Sequence, residues 1–558
     1  MKRLVLVVLA GLVSAVAFAS TKVAADMPRS TRTGLVDVIV QFKGGSGNSA
    51  VEQVRPFGTV RRQFRTISAV HMTVPVWMVE RLASNPQIAY VSPNRTTTSF
   101  LDITTQSANA NPVWASGWDG SGVGVAVIDS GVAMKTDLST PGGGSRIVFS
   151  ESFVPGQDAS DQYGHGTHVA GIVGANGAAS SGPTFTRAFK GVAPNANIIN
   201  LRVLDANGAA PESEVIAAIE EAIALKDTYN IRVINLSLGH PVYESFNLDP
   251  LCQAVEAAWK AGITVVAAAG NMGRDNSVGT NGYATIGSPG NDPYVITVGA
   301  MNANGTPWRI DDKIASYSSK GPSLLDHVVK PDIVAPGNGV TSLLASPNCT
   351  LATLYPNTLV ANASYQTGGQ GTSSDYFQLS GTSMATPVVS GAVALLLQQN
   401  PVLTPDQLKA RLMKTASKSL PRYTVASDML TSTLYSSQED IFAVGAGYLD
   451  IASAMSNTDV ADFQALSPVA VYDPDKNTIS LASAQTIIGG NEVIWGNEVI
   501  WGNEVIWGNE VIWGNEVIWG NEVIWGNEVI WGNEVIWGNE VIWGNEVIWG
   551  NALNNGDK

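Results

Sequence analysis

Three segments carry side chains that could do chemistry together. Val125-Ala126-Val127-Ile128-Asp129-Ser130-Gly131 is an apolar run ending in a carboxylate. Gly164-His165-Gly166-Thr167-His168-Val169-Ala170-Gly171 sets an imidazole between two glycines at a helix start. Ser380-Gly381-Thr382-Ser383-Met384-Ala385-Thr386-Pro387 runs into the apolar stretch Ala392 to Leu397. A serine hydroxyl holds its proton too tightly to be a good nucleophile near neutrality. An imidazole that takes the proton, oriented by a carboxylate, makes it one, and the chemistry is then acyl transfer. Each segment also has a plainer reading. An Asp after a strand is commonly a turn or cap residue, and a Ser opening an apolar helix can be an N-cap. Zinc binding would ask for His at i and i+4 with an acid between; His165 and His168 are three apart with none.

The elements that must position these residues follow the same pattern along the chain. Val123 to Ile128, Ile198 to Leu204, Val233 to Leu238 and Ile263 to Ala268 read as strands. Pro211 to Ala224 reads as a helix, with Pro and acids in its first turn and Ile216, Ile219 and Ile223 along one face. Cys252 to Trp259 is a second helix. Continuous apolar strands alternating with helices predict an α/β domain whose parallel sheet is covered on both faces. Such sheets bind ligands at the carboxyl ends of their strands, where Asp129 lies.

The 558 residues suggest three or four units, at about 150 residues per domain. The chain is 45% hydrophobic and 14% charged, so it can bury a large core. Its formal charge of −15 argues against nucleic acid, which selects basic faces, though ten of the Glu residues sit in one terminal repeat block. The first residues, MKRLVLVVLAGLVSAVAFAS, have a basic start, a short apolar stretch and a small-x-small site at Ala17-Phe18-Ala19. They predict a signal peptide over 1–19 rather than a membrane anchor, and hence a secreted product. Cys252 and Cys349 are the two cysteines. An oxidising destination permits a disulfide, and two buried thiols are equally compatible with the sequence.

Taken together, the three segments resemble the subtilisin family (subtilases). The order Asp, His, Ser matches that family, as do Gly191-Val192-Ala193-Pro194, Val233-Ile234-Asn235-Leu236-Ser237-Leu238-Gly239, Ala268-Ala269-Gly270-Asn271 and Lys330-Pro331-Asp332-Ile333-Val334-Ala335-Pro336-Gly337. The resemblance spans roughly 115–455. It implies a three-layer subtilisin-like fold with a mostly parallel sheet, over 101–456, and a serine endopeptidase that needs no cofactor for its chemistry. It assigns Asp129, His165 and Ser383 to the triad and Asn271 to the oxyanion hole. Protein or peptide substrates would lie as an added strand between Asn207-Gly208 and Ser237-Leu238-Gly239, with Gly270 beside Asn271. Met272 puts no charge at the primary pocket, which favours hydrophobic substrate side chains. Asp137 matches a family calcium ligand only with a one-residue gap, so a structural calcium ion is an expectation resting on that residue. In the related serine-carboxyl peptidases, Glu replaces the His base and Asp the oxyanion Asn; His165 and Asn271 therefore point to neutral or alkaline working pH.

Residues 20–100 resemble the family's inhibitor-type propeptide through Val38-Ile39-Val40-Gln41-Phe42, Val79-Glu80-Arg81-Leu82 and Ile88-Ala89-Tyr90-Val91. Such a unit acts as intramolecular chaperone and inhibitor until it is cut away; the alternative is an ordinary subdomain that stays attached. Residues 457–490 read as a linker. Residues 491–550 are ten copies of Asn-Glu-Val-Ile-Trp-Gly, followed by an eight-residue tail, 551–558. As strands, the copies would alternate Asn, Val and Trp on one face with Glu, Ile and Gly on the other. Stacked in register, Glu would face Glu, which opposes a ladder without bound cations. An unstructured duplicated tail is one reading. Self-association, or retention at the cell surface through the Trp row, is the other.

Overall fold

The computed structural model describes residues 22–24, 27, 34–44, 48–64, 68–93, 103–428, 433–473, 478–482 and 557. The expected signal peptide and the hexapeptide repeats lie outside the described residues. The chain forms two compact units, residues 1–98 and 99–558.

The first unit is a four-stranded antiparallel sheet of β1 (Leu35–Phe42), β2 (Thr59–Gln63), β3 (Ala69–Pro75) and β4 (Ile88–Pro93), in the order β2-β3-β1-β4. Val38 and Val40 of β1 alternate into the core with Val70, Met72 and Val74 of β3. The helix Val79–Ala83 lays Val79 and Leu82 on that core.

The second unit is built on a sheet of β5 (Gly124–Asp129), β6 (Ile147–Ser152), β7 (Asn197–Arg202), β8 (Ile231–Leu236), β9 (Thr264–Ala268), β10 (Ile296–Asn302), β11 (Lys313–Ile314) and β12 (Ile333–Pro336). The order is β11-β10-β9-β8-β5-β7-β6, with β12 also on β10; all pairs are parallel except β10–β11. All six residues of β5 are buried, as a strand covered on both faces requires. The helix Thr382–Gln399 is buried around its whole circumference from Thr382 to Leu397. It is therefore apolar on every side rather than striped, and it packs against the sheet. Among the described residues, no helix is long and apolar enough to cross a membrane.

The stretch expected to be a linker contains structure. Val469–Asp473 and Thr478–Ala482 pair as an antiparallel hairpin, and Ala461, Ala465, Ala470 and Ile479 enter a second core with Phe442 and Tyr448. The short alternation of Thr478-Ile479-Ser480-Leu481 is a strand signal that its position after the last family motif concealed. Within the expected tail, Asp557 is buried. Its carboxylate accepts from the Ser316 N–H and hydroxyl, both at 2.6 Å, and from Arg274 Nη2 at 2.8 Å. The carboxylate of Asp428 holds the same guanidinium.

Candidate active site

Asp129 is the last residue of β5, and His165 opens the helix His165–Gly174. Both are fully buried, and His165 Nδ1 lies 2.8 Å from Asp129 Oδ1. Two glycines make this approach possible. Gly164 has φ +104°, and a Cβ there would stand 2.6 Å from the Cys349 sulfur. A Cβ on Gly166 would stand 2.3 Å from the Gly131 carbonyl. Burial pulls the His165 imidazole toward lower pKa, but the charge and hydrogen bond of Asp129 outweigh it. The ring ends above its ordinary value. Among the described residues, His165 Nε2, the nitrogen that would serve as base, makes no hydrogen bond.

Asp161 is a residue that sequence reasoning missed. It accepts from Ser130 Oγ at 2.8 Å, from the Gly164 N–H at 2.6 Å and from the Thr167 N–H at 2.8 Å. Ser130 in turn accepts from the Gly166 N–H. One buried carboxylate thereby ties the end of β5 to the turn that presents His165. Burial raises its pKa, despite these bonds. A lone Asp four residues before His165 carried no distinguishing signal.

Ser383 is the second residue of the helix Thr382–Gln399. Pro387 lacks the N–H that would bond the Ser383 carbonyl one turn back. Ser237 fills the vacancy: its hydroxyl donates to the Ser383 carbonyl at 2.8 Å, while Ser383 Oγ donates to the Ser237 carbonyl at 3.1 Å. Asn235 donates to Ser237 Oγ at 3.0 Å and accepts from Ser390 Oγ at 2.8 Å. This chain of hydrogen bonds locks the end of β8 to the helix. Asn271 follows β9, and its side-chain oxygen accepts from the Thr382 N–H at 2.9 Å. That leaves the Asn271 amide nitrogen as the donating end. Gly270 donates to Thr382 Oγ1 at 3.2 Å.

His168 is buried, sits 3.0 Å from the Val340 carbonyl and packs edge-on against Phe377. Burial and the neighbouring His165 push its pKa down to about 3, so it stays neutral and structural. Asn207 and Gly208 sit in a turn closed by Asp205, which accepts from the Asn207 N–H at 2.8 Å. Gly208 has φ +80°, and its Cα faces the Tyr163 ring. Leu238 and Gly239 follow Ser237 and line a cavity of about 160 Å³ with Leu204, Val215 and Leu251. Met272, the residue after Asn271, is exposed.

Asp137 does not fit a calcium site. Its carboxylate accepts from the Tyr376 hydroxyl and the Ala179 N–H, both at 2.6 Å. Its backbone carbonyl accepts from the Arg146 guanidinium at 2.6 Å, which sets a positive charge beside it. Calcium asks for six to eight oxygens, and among the described residues Asp137 belongs to no group of three His, Cys, Asp or Glu side chains. Cys252 and Cys349 are both buried and unpaired.

Comparison with known proteins bears on the same segments. The family model for the subtilase family matches residues 120–447. The chain is 36% identical over 397 residues to serine protease AprX of Bacillus subtilis (strain 168), covering 69% of this chain and 83% of that protein. It is 34% identical over 364 residues to subtilisin E of the same strain, covering 64% and 78%. A solved cold-adapted subtilisin-like serine proteinase is 31% identical, covering 54% of this chain and 85% of that one, with a TM-score of 0.38. The family match begins just before β5 and ends at Gly447, enclosing Asp129, His165, Asn271 and Ser383, and the chain belongs to the subtilase family of serine proteases.

Proposed function

We propose that this subtilase is a secreted endopeptidase, made as a precursor, in which Ser383 attacks the peptide carbonyl. His165 takes the hydroxyl proton and returns it to the leaving amine, giving an acyl-enzyme that water then hydrolyses. Asp129 fixes the tautomer: with Nδ1–H held by the carboxylate, Nε2 keeps its lone pair for the serine proton. The Asn271 amide and the Ser383 N–H receive the oxyanion. The observation that carries this reading is the buried 2.8 Å contact between His165 and Asp129 at the carboxyl end of β5. The Ser383 hydroxyl, turned to the Ser237 carbonyl, needs only a rotation about its Cα–Cβ bond to leave that acceptor; catalytic hydrogen bonds often form only once substrate is bound.

Substrate would add as a strand between Asn207-Gly208 and Ser237-Gly239, with hydrophobic side chains favoured near Met272. Residues 20–100 would be the chaperone and inhibitor, removed by an intramolecular first cut, and residues 1–19 the signal. The repeats would promote self-association or retention at the cell surface. The decisive experiment is Ser383→Ala. It should reduce turnover on casein or a peptide by on the order of 10⁶, the loss known for subtilisin's own serine. It should also accumulate as a precursor that keeps the first unit. Full activity, or normal processing in a protease-free host, would refute the corresponding part.

A further inference from the structure

Outside the triad, three side chains converge beside the cavity that Leu238 and Gly239 line. Glu212 opens the helix Glu212–Ala224, His240 follows Gly239, and Asp249 caps the helix Pro250–Lys260. One ligand atom from each lies within 4.8 Å of the others. His240 Nδ1 is 2.7 Å from the Pro241 carbonyl, an acceptor, so Nδ1 carries the proton and Nε2 presents a lone pair. Among the described residues, Nε2 is buried with no hydrogen-bond partner, and so is Glu212 Oε1. Asp249 is 1% exposed; its Oδ1 accepts from the N–H groups of Leu251 and Cys252 and its Oδ2 from Ser288 Oγ, which leaves Oδ2 a further lone pair. Two carboxylates and an imidazole lone pair therefore face one another with no donor among them. Such an arrangement repels itself unless something positive sits inside.

We propose that Glu212, His240 and Asp249 bind a divalent transition-metal ion of the zinc type. One imidazole nitrogen and two carboxylate oxygens make a three-ligand set that leaves a fourth position open. Calcium, which takes only oxygens and more of them, suits the set poorly. The His240–Pro241 hydrogen bond is the outer contact that holds a metal-binding imidazole in its tautomer. The backbone pins the same ring: the His240 N–H donates to the Ser288 carbonyl at 2.9 Å and the Ser288 N–H returns the bond at 2.8 Å. Coordination would clip together the starts of two helices and the segment after β8, closing one wall of the cavity. Its consequence for substrate rests on the edge assignment above: a bound ion would stiffen Ser237-Leu238-Gly239 and alter the choice of side chain in that cavity.

The test is binding, which is independent of catalysis. Tag-free full-length Ser383→Ala protein, chosen to prevent self-digestion, is titrated with Zn²⁺ by calorimetry and with Co²⁺ by visible absorption. One saturable site is expected, with Co²⁺ bands of low-symmetry four-coordination. Glu212→Gln and His240→Gln should each weaken it by more than about tenfold while leaving the thermal transition without metal in place. Weak binding by the repeat glutamates would survive both substitutions and so is read separately. The proposal is overturned if neither ion binds saturably, or if both variants bind like the parent. It is equally overturned if His240→Gln only removes an acid-dependent change in melting temperature, which would mean that a proton fills the site.

Discussion

At the scale of single residues, the proposed chemistry depends on His165 keeping Nε2 free of a proton and ready to take one. The Asp129 carboxylate stabilises the imidazolium and raises the pKa. With His165 as the proposed base, activity needs the neutral ring, so the acid limb of kcat/KM should have its midpoint above the ordinary ~6.5. Replacing Asp129 by Asn removes the charge and favours the wrong tautomer. Turnover should fall by about 10⁴, with the residual activity's acid limb moved to lower pH. A pH profile of both proteins checks this; an unmoved limb would show that Asp129 does not set the imidazole. Asn271→Ala should lower kcat by ~10²–10³, the range known for the matching residue of subtilisin, with KM little changed, because in the proposed mechanism its amide serves a charge present only in the transition state. Steady-state kinetics on a short peptide would separate the two constants.

At the scale of elements, polar groups buried between segments hold the unit together, and some of them do so at a cost. Glu439 is 1% exposed and accepts from the Ile314 N–H at 3.1 Å, joining β11 to the segment before the helix Ile441–Val444. Burial pushes its pKa from 4.5 up to about 7. The folded state thus prefers the neutral acid. Its contribution is fully present below about pH 4.5 and is lost as pH rises through about 7. Glu439→Gln keeps the acceptor and never ionises. It should match the wild type near pH 4 and exceed it by up to about 3 kcal/mol at pH 8. Urea denaturation at the two pH values measures the difference, and an equal gap at both would locate the effect elsewhere.

At the scale of the whole molecule, the catalytic unit extends beyond the family match. The hairpin at 469–482 and the segment before it bury Ala461, Ala465, Ala470 and Ile479, and Ser467 donates to Asp332 Oδ1 at 2.5 Å. Asp332 lies in a buried cluster with Lys330 and Lys409. A chain ending at residue 460 would leave that core open and remove a donor from a buried carboxylate; it should lose several kcal/mol and unfold at markedly lower temperature. A chain ending at residue 482 should keep its turnover on a soluble peptide. Among the described residues it forgoes the bonds of Asp557 to Ser316, Arg274, Asn302 and Asn338, so its melting temperature should fall modestly. Loss of most turnover at 482 would mean that the repeats or tail complete the catalytic unit.

The sequence by itself determined the sheet and the order of the reactive residues. Apolar runs such as Val125–Ile128 can be satisfied only by burial on both faces, and the glycines around His165 admit one kind of close approach. Those are local constraints, legible residue by residue. Contacts between segments far apart were not legible. Asp161 serving Ser130 and Gly164, Ser237 replacing the N–H that Pro387 lacks, and Asp557 reaching Arg274 each pair groups whose types are ordinary and whose meaning is positional. Asp137 shows the same in reverse. A carboxylate at a family calcium position becomes a structural acceptor once Tyr376 and Ala179 donate to it. A carboxylate's role depends on which donors the folded chain brings within 3 Å, and only the tertiary structure decides that.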